Sequence, residues 1–222
     1  MIPGIKKLLS RDQPPEHLPA DVQAGLAAWR ESAPPPLDEV HFHTRYLVVD
    51  IARSGAGPDD GRLLGIAAAA VRHAVIDPGE ALYAAFDAAA DAPGALERKL
   101  LAFLLHAAKA PLVTYHAPLV GACLARACKE ALGIDFQPQW IDLAWLLPAM
   151  YDDMSSAVQP LDHWLAALGL DPGGGRRDAA ANALLLARLF QMLLARARSR
   201  GIHSPARLIA EANASSVLRR VS

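Results

Sequence analysis

The sequence predicts an α/β fold, a mixed five-stranded sheet with helices on both faces, and three observations carry that expectation. Five short apolar runs of strand type alternate with amphipathic segments in the order β-β-β-α-β-α-β-α. Alanine supplies 45 of the 222 residues, and alanine with leucine in such abundance favours helix. Apolar residues make up 53% and charged residues 20%, the balance of a globular chain able to bury a full core and not of a disordered or collagen-like one.

Taken in order, residues 1–40 read as an N-terminal helical extension. Pro14-Pro15 and Pro34-Pro35-Pro36 bracket a segment in which Leu18, Val22, Leu26 and Trp29 recur at helical spacing. Residues 41–200 form the main domain. RYLVVDIA (45–52) and GRLLGIAAAAV (61–71) read as strands joined through the turn-forming SGAGPDD, and a weaker third strand is expected near 81–86. A helix opens near Pro93, PLVTYH (111–116) is a buried strand, and a helix over 118–132 ends at Gly133. WIDLA (140–144) is the fifth strand, followed by short helices near 143–151 and 160–168, a Gly173-Gly174-Gly175 loop, and a long helix over 177–199. Residues 201–222 form a basic helix or tail, begun by Ser204 as N-cap and Pro205 at the first helical position.

Only two cysteines occur, Cys123 and Cys128, five residues apart on one helix and hence on different faces. A disulfide scaffold is excluded, and a reduced, cytoplasmic chain is expected. The most apolar helix, Ala183 to Ala197, is broken by Arg188 and Arg196, short of the roughly 20 apolar residues of a membrane span. MIPGIKKLLSRDQPP lacks the apolar core and cleavage site of a secretory signal.

Four sequence words stand in order on these elements: TRYLVVDIARSG on the first strand, LVTYHAPLVGACL on the fourth, WIDLAWLLPAMY on the fifth, and PLDHWLAALGL followed by RRDAAANALLLARLF at the end. Together they resemble the motifs of the DEDD-class 3′–5′ exonucleases, the proofreading (epsilon) subunit group of bacterial DNA polymerase III, over roughly residues 40–200. The resemblance implies a ribonuclease H-like fold. It also implies two divalent ions held by four carboxylates, with a histidine as general base.

The chemistry departs from that pattern. Asp50 retains the first carboxylate, but the second position holds Ala52, the third Val120, and the last Asn182, while Arg177 stands where the histidine is expected. Alanine and valine offer no ligand, asparagine is a neutral one, and arginine is no base at ordinary pH. Two hard cations about 4 Å apart need several carboxylates to offset their repulsion. The expected function is therefore a binding or regulatory pseudo-exonuclease with no cofactor, and with Asp50 at most a weak metal ligand. Arg177 is expected to pair with Asp50 in the vacated space. The stretch FDAAADAPGALERK also lacks the His-Gly word with which the family holds its substrate strand.

Two alternatives stay open. One is a Mg²⁺- or Mn²⁺-dependent exonuclease with an unconventional site built from Asp50, Asp142 and a histidine. The other is a protein–protein interaction module unrelated to nucleic acid, docking a partner or a second copy through its N-terminal helix. Other residues have plainer readings. His41 and His43 share one side of an extended segment without further ligands, His116 is a strand-end polar group, Asp142 braces a loop, and Asp162-His163 is helix surface. Leu185, Leu189, Met192 and Leu193 are core, and the glycine run lacks the Lys-Ser/Thr of a phosphate loop.

The formal net charge of −1 hides an asymmetry. Residues 1–175 hold 13 Lys+Arg against 21 Asp+Glu, a net of −8, whereas residues 176–222 hold nine arginines against Asp178 and Glu211, a net of +7. Weak nucleic-acid or partner contact is accordingly expected through Arg176, Arg177, Arg196, Arg198 and Arg200, with no membrane contact. A plainer reading has these arginines covering the acidic body.

Overall fold

The computed structural model describes residues 18–55, 61–87, 89–170 and 177–221, with backbone only for 218–221. The SGAGPDD turn from residue 56 to 60, the glycine run, Arg176 and the first seventeen residues lie outside the described residues.

Five strands form one sheet of order β3-β2-β1-β4-β5. β1 (Arg45–Arg53) pairs antiparallel with β2 (Leu63–Arg72), which pairs antiparallel with β3 (Val75–Ala85). β4 (Leu112–Thr114) and β5 (Trp140–Asp142) run parallel to β1. This is the mixed five-stranded arrangement expected, flanked by helices. β3 starts earlier than 81 because its ladder breaks and resumes: Ala69 faces Ala81 but Ala70 faces Asp77, so 78–80 are looped out. Asp77 Oδ1 accepts the Gly79 N–H at 3.0 Å and holds the loop closed. Pro78 and Gly79 thus sit in a bulge of an edge strand, where they break no inner ladder.

The helices form two layers. On one face lie α1 (Ala20–Glu31), α2 (Ala95–Ala107) and α3 (Ala117–Leu132), packed on Leu47, Val49, Ile66, Ala68 and Leu112. Val22 and Leu26 of α1 are fully buried in this layer, so the apolar side of the N-terminal helix is used inside the chain. α2 ends on Ala108 and α3 on Gly133, both left-handed; at Gly133 (φ 67°) the absent side chain makes that turn inexpensive.

On the other face lie α4 (Leu143–Met150), α5 (Leu161–Ala167), α6 (Ala179–Ser199) and α7 (Pro205–Val221), packed on Tyr46, Val48, Val71, Val113 and Ile141. By length and composition α6 is the one candidate membrane span among the described residues. Its apolar side is nonetheless core, with Leu186, Leu189, Phe190 and Leu193 fully buried against the sheet and neighbouring helices.

Candidate functional site

Side chains alternate along a strand, so Tyr46, Val48, Asp50 and Ala52 share one face of β1. Tyr46 meets Phe190 of α6 edge-on, with centroids 4.9 Å apart, which makes this the α6 side. Asp50 is half-buried near the end of the strand. Burial pushes its carboxyl up from the ordinary value, against the pull of a hydrogen bond from Asn182 and the charge of Arg177.

Ala52 packs with Ala67 of β2 and with Ala179 and Ala183 of α6. Four small side chains let the helix approach the strands closely, so a glutamate at 52 would have to push α6 away or turn outward. Val120 lies in the opposite layer. It is 3% exposed one turn into α3, in the same apolar cluster as Val49, Ile66, Leu100 and Leu124. Asp50, Ala52 and Asn182 therefore meet on one side of the sheet, and Val120 does not join them.

The start of α6 brings up the remaining residues. Asp178 caps the helix, accepting the Ala181 N–H at 2.8 Å, and Asn182 stands one turn further in. Arg177 Nε donates to Asn182 Oδ1 at 2.9 Å, leaving the amide nitrogen as the end that can donate toward Asp50. The other end of the guanidinium ion-pairs with Asp162 on the first turn of α5. The expected direct pairing of Arg177 with Asp50 is thus corrected: among the described residues no ion pair joins them, and Asn182 stands between. The cause is electrostatic. Asp162 is a largely exposed carboxylate whose charge stays hydrated, whereas burial opposes ionisation of Asp50. Asp162, which reads as plain helix surface in sequence, is the ionic partner of this site. No local signal marks it, because its partner lies 15 residues on, past the glycine run.

A two-metal centre does not fit this donor set. One carboxylate, one amide oxygen already bonded to a guanidinium and an alanine face the space. Among the described residues no group of three His, Cys, Asp or Glu side chains gathers anywhere.

Asp142 has a different task from metal binding. Its carboxylate accepts the backbone N–H of His116 (3.0 Å), Ala117 (2.9 Å) and Ala144 (3.0 Å), capping α3 and α4 together. Burial pushes its carboxyl up, and those three donors pull the other way. His116 adopts a left-handed conformation at φ 62°, exposed, with its ring edge-on to Tyr115. His41 and His43 stand in a turn and not, as expected, in an extended segment. His41 Nε2 lies 3.2 Å from the Ile202 carbonyl and Nδ1 2.6 Å from the Tyr46 hydroxyl, so the ring donates to the first and accepts from the second.

Two of the C-terminal arginines fold back onto α4 and the residues after it. Arg196 donates to the Met150 carbonyl and to Asp153, at 2.9 and 2.8 Å, and lies over the Tyr151 ring. Arg200 donates to the Ala149 carbonyl and to Asp152, at 2.9 and 2.5 Å. Both fasten α6 to the end of α4. Arg198 is exposed.

No protein-family model matches the chain, and no curated protein matches it. Among solved structures the chain is similar to Brucella melitensis NrnC bound to pGG, at 18% identity over 82% of this chain and 88% of that one, TM-score 0.47. A second structure of Brucella melitensis NrnC aligns at 16% identity over 79% and 87%, TM-score 0.47. A third, with bound Mg²⁺, aligns at 17% over 82% and 90%, TM-score 0.45.

Chemically, the Asp50–Asn182–Arg177–Asp162 chain balances one cation against up to two anions, with the guanidinium fixed by two partners. The Arg177 contacts tie the start of α6 to α5.

Proposed function

We propose that this chain is a pseudo-exonuclease, a protein of exonuclease-like fold that acts by binding and in which a side-chain lock takes the place of two-metal hydrolysis. The observation that supports this most is the Arg177 guanidinium, bonded to both Asn182 and Asp162 beside the one retained carboxylate. Two divalent ions about 4 Å apart would bring four positive charges to Asp50 alone, next to a fixed cation. The reading includes no cofactor; Mg²⁺ or Mn²⁺ would enter only with demonstrated hydrolysis.

The deciding experiment incubates the protein with labelled single-stranded DNA and RNA in Mg²⁺ or Mn²⁺. The expected result is no end-directed shortening. Digestion that disappears in Asp50→Ala would overturn the reading. An unconventional centre that recruits Asp142 gains no support, because that carboxylate already holds three backbone donors.

The partner is a protein, a second copy or, weakly, a nucleic acid. For a polyanion the exposed Arg188, Arg198 and Arg207 are better placed than Arg196 and Arg200, and retention should fall steeply with salt. The buried free thiols of Cys123 and Cys128 suit a cytoplasmic setting.

A further inference from the structure

β3 forms one edge of the sheet and β5 the other. β5 is three residues long and packs against α7, whereas among the described residues no strand pairs with the outer side of β3. The ladder fixes where each backbone group of β3 points. The Phe86 N–H donates to the Leu64 carbonyl at 2.8 Å, so Leu82 and Ala84 bond β2 while Ala81, Tyr83 and Ala85 turn their N–H and C=O groups away from it. The β1 side agrees. The Leu47 N–H donates to the Pro111 carbonyl beside β4, which leaves Val48 and Asp50 to bond Ala69 and Ala67, and Ala68 and Ile66 to bond β3.

Among the described residues no hydrogen bond reaches the outward groups of Ala81 and Tyr83. Lys99 Nζ donates to the Ala85 carbonyl at 2.7 Å. A lysine at an edge discourages pairing, but it takes one of two lone pairs and leaves the other for an N–H. Tyr83 is 59% exposed and lies level with Ala67 on the α6 face. From Ala81 to Ala85 the strand is neutral and free of proline and glycine, the composition of an edge that accepts another strand.

We propose that two copies of this chain pair antiparallel through Ala81–Ala85, about a two-fold axis at Tyr83, so that their sheets become one. This register sets outward residue against outward residue: Tyr83 opposite Tyr83 of the second copy, and Ala81 opposite its Ala85 at both ends, for about six hydrogen bonds. A slip of one residue would set outward groups against inward ones. The two Tyr83 rings meet as a cross-strand aromatic pair. No like charges are opposed, and Glu80 of each copy comes level with Phe86 of the other, where Lys99 Nζ stands 6.0 Å from the ring centroid. A ladder this short belongs with small, transient interfaces, so the dimer is expected with a Kd on the order of tens of micromolar. Such pairing supplies the second copy named above as a partner and rests on that binding reading only for its use; chain mass and strand cleavage are read separately, so either can fail alone.

The test is sedimentation velocity of the full chain from about 1 to about 200 µM, which brackets that Kd. The expected result is a rise from one chain mass toward two across the series. Tyr83→Lys and Tyr83→Glu should each stay at one chain mass, because each sets like charges face to face on the axis. Mixed in equal amounts, the two variants should dimerise again, at least tenfold more tightly than either alone. Residue 83 is exposed, and a native urea midpoint shows that the β2–β3 ladder is intact. Should either variant lose stability, Ala81→Pro blocks the same pairing by removing only an outward N–H. One chain mass at every concentration overturns the proposal. A dimer that survives these substitutions, or a mixture that stays monomeric, overturns it as well.

Discussion

Arg177 Nε donates to Asn182 Oδ1 at 2.9 Å, and that one bond decides which end of the amide meets Asp50. With its oxygen engaged, Asn182 offers Asp50 a donor. Residues 177 and 182 thus form a matched pair, a guanidinium and an amide arranged head to tail. Asn182→Asp would set a second carboxylate beside Asp50 with a single guanidinium to balance both.

The reciprocal experiment is to introduce carboxylates at positions 120 and 52 one by one, and the packing says that this fails before chemistry begins. Val120 is buried among aliphatic side chains, so Val120→Asp buries a carboxyl group without a partner. A loss of about 3–5 kcal/mol in urea unfolding is expected. Ala52→Glu should cost less, because residue 52 is half-buried and a longer side chain can turn outward. A full-strength fold in Val120→Asp would mean that α3 does not bury residue 120 against the sheet.

Asp142 supports a second stability prediction. Its carboxylate holds three backbone donors from two helices, and Asp142→Ala leaves two or more of them buried without an acceptor. The expected loss is about 3 kcal/mol, with Asp142→Asn losing roughly half of that because one amide oxygen remains to accept. Thermal or urea unfolding reads both directly. A metal-binding role would predict the reverse pattern, small losses in the metal-free protein.

Much of the fold was legible in the sequence, and the reason differs from element to element. The first strand could be read from RYLVVD because its two faces meet two different cores, Tyr46 and Val48 in one and Leu47 and Val49 in the other. β3 was only half legible, since Asp77-Pro78-Gly79-Glu80 has turn chemistry and only the ladder reveals that it is a bulge inside a longer strand. The lack of a four-carboxylate set was legible, because ligand chemistry is local to each residue. The Arg177–Asp162 pairing was not, because Asp162 reaches Arg177 across a loop. In the same way Asp152 and Asp153 reach Arg200 and Arg196 across more than forty residues. Charge counting found the basic C-terminal segment but could not tell that two of its arginines fold back onto α4.

Two buried groups set opposite pH dependences. Burial raises the Asp50 pKa, so its contribution to stability is full below the unfolded value near 3.9 and is lost as pH rises through the folded value. Asp50→Asn should therefore stabilise the protein at neutral pH, with the advantage vanishing near pH 3. Burial lowers the His41 pKa, and the carbonyl of Ile202 opposes that while nearby His203 adds to it. Its contribution is full above the unfolded value near 6.5 and is lost as pH falls through the folded value. Between pH 6.5 and 5, His41→Gln should flatten the fall in stability by up to about 1.4 kcal/mol per pH unit, the slope of one proton. Unfolding curves for the three proteins across pH 3–8 check both signs.

The β2–β3 turn offers a change that should strengthen the protein. His73 and Ala74 join the strands as a two-residue loop with φ of 54° and 58°, the geometry of a type I′ turn, which favours Asn-Gly. A left-handed alanine costs about 1–2 kcal/mol, and glycine gives back about 0.5–1 kcal/mol through its freer unfolded chain. Ala74→Gly should then stabilise by about 0.5–1 kcal/mol, since the Gln191 side chain bonds only the carbonyl of residue 74 and that bond is kept. The expected readout is a higher urea midpoint with an unchanged slope. Ala74→Val, which adds a β-branch where φ is positive, should move the midpoint the other way. If both substitutions shifted it in the same direction, the turn would not have the conformation described.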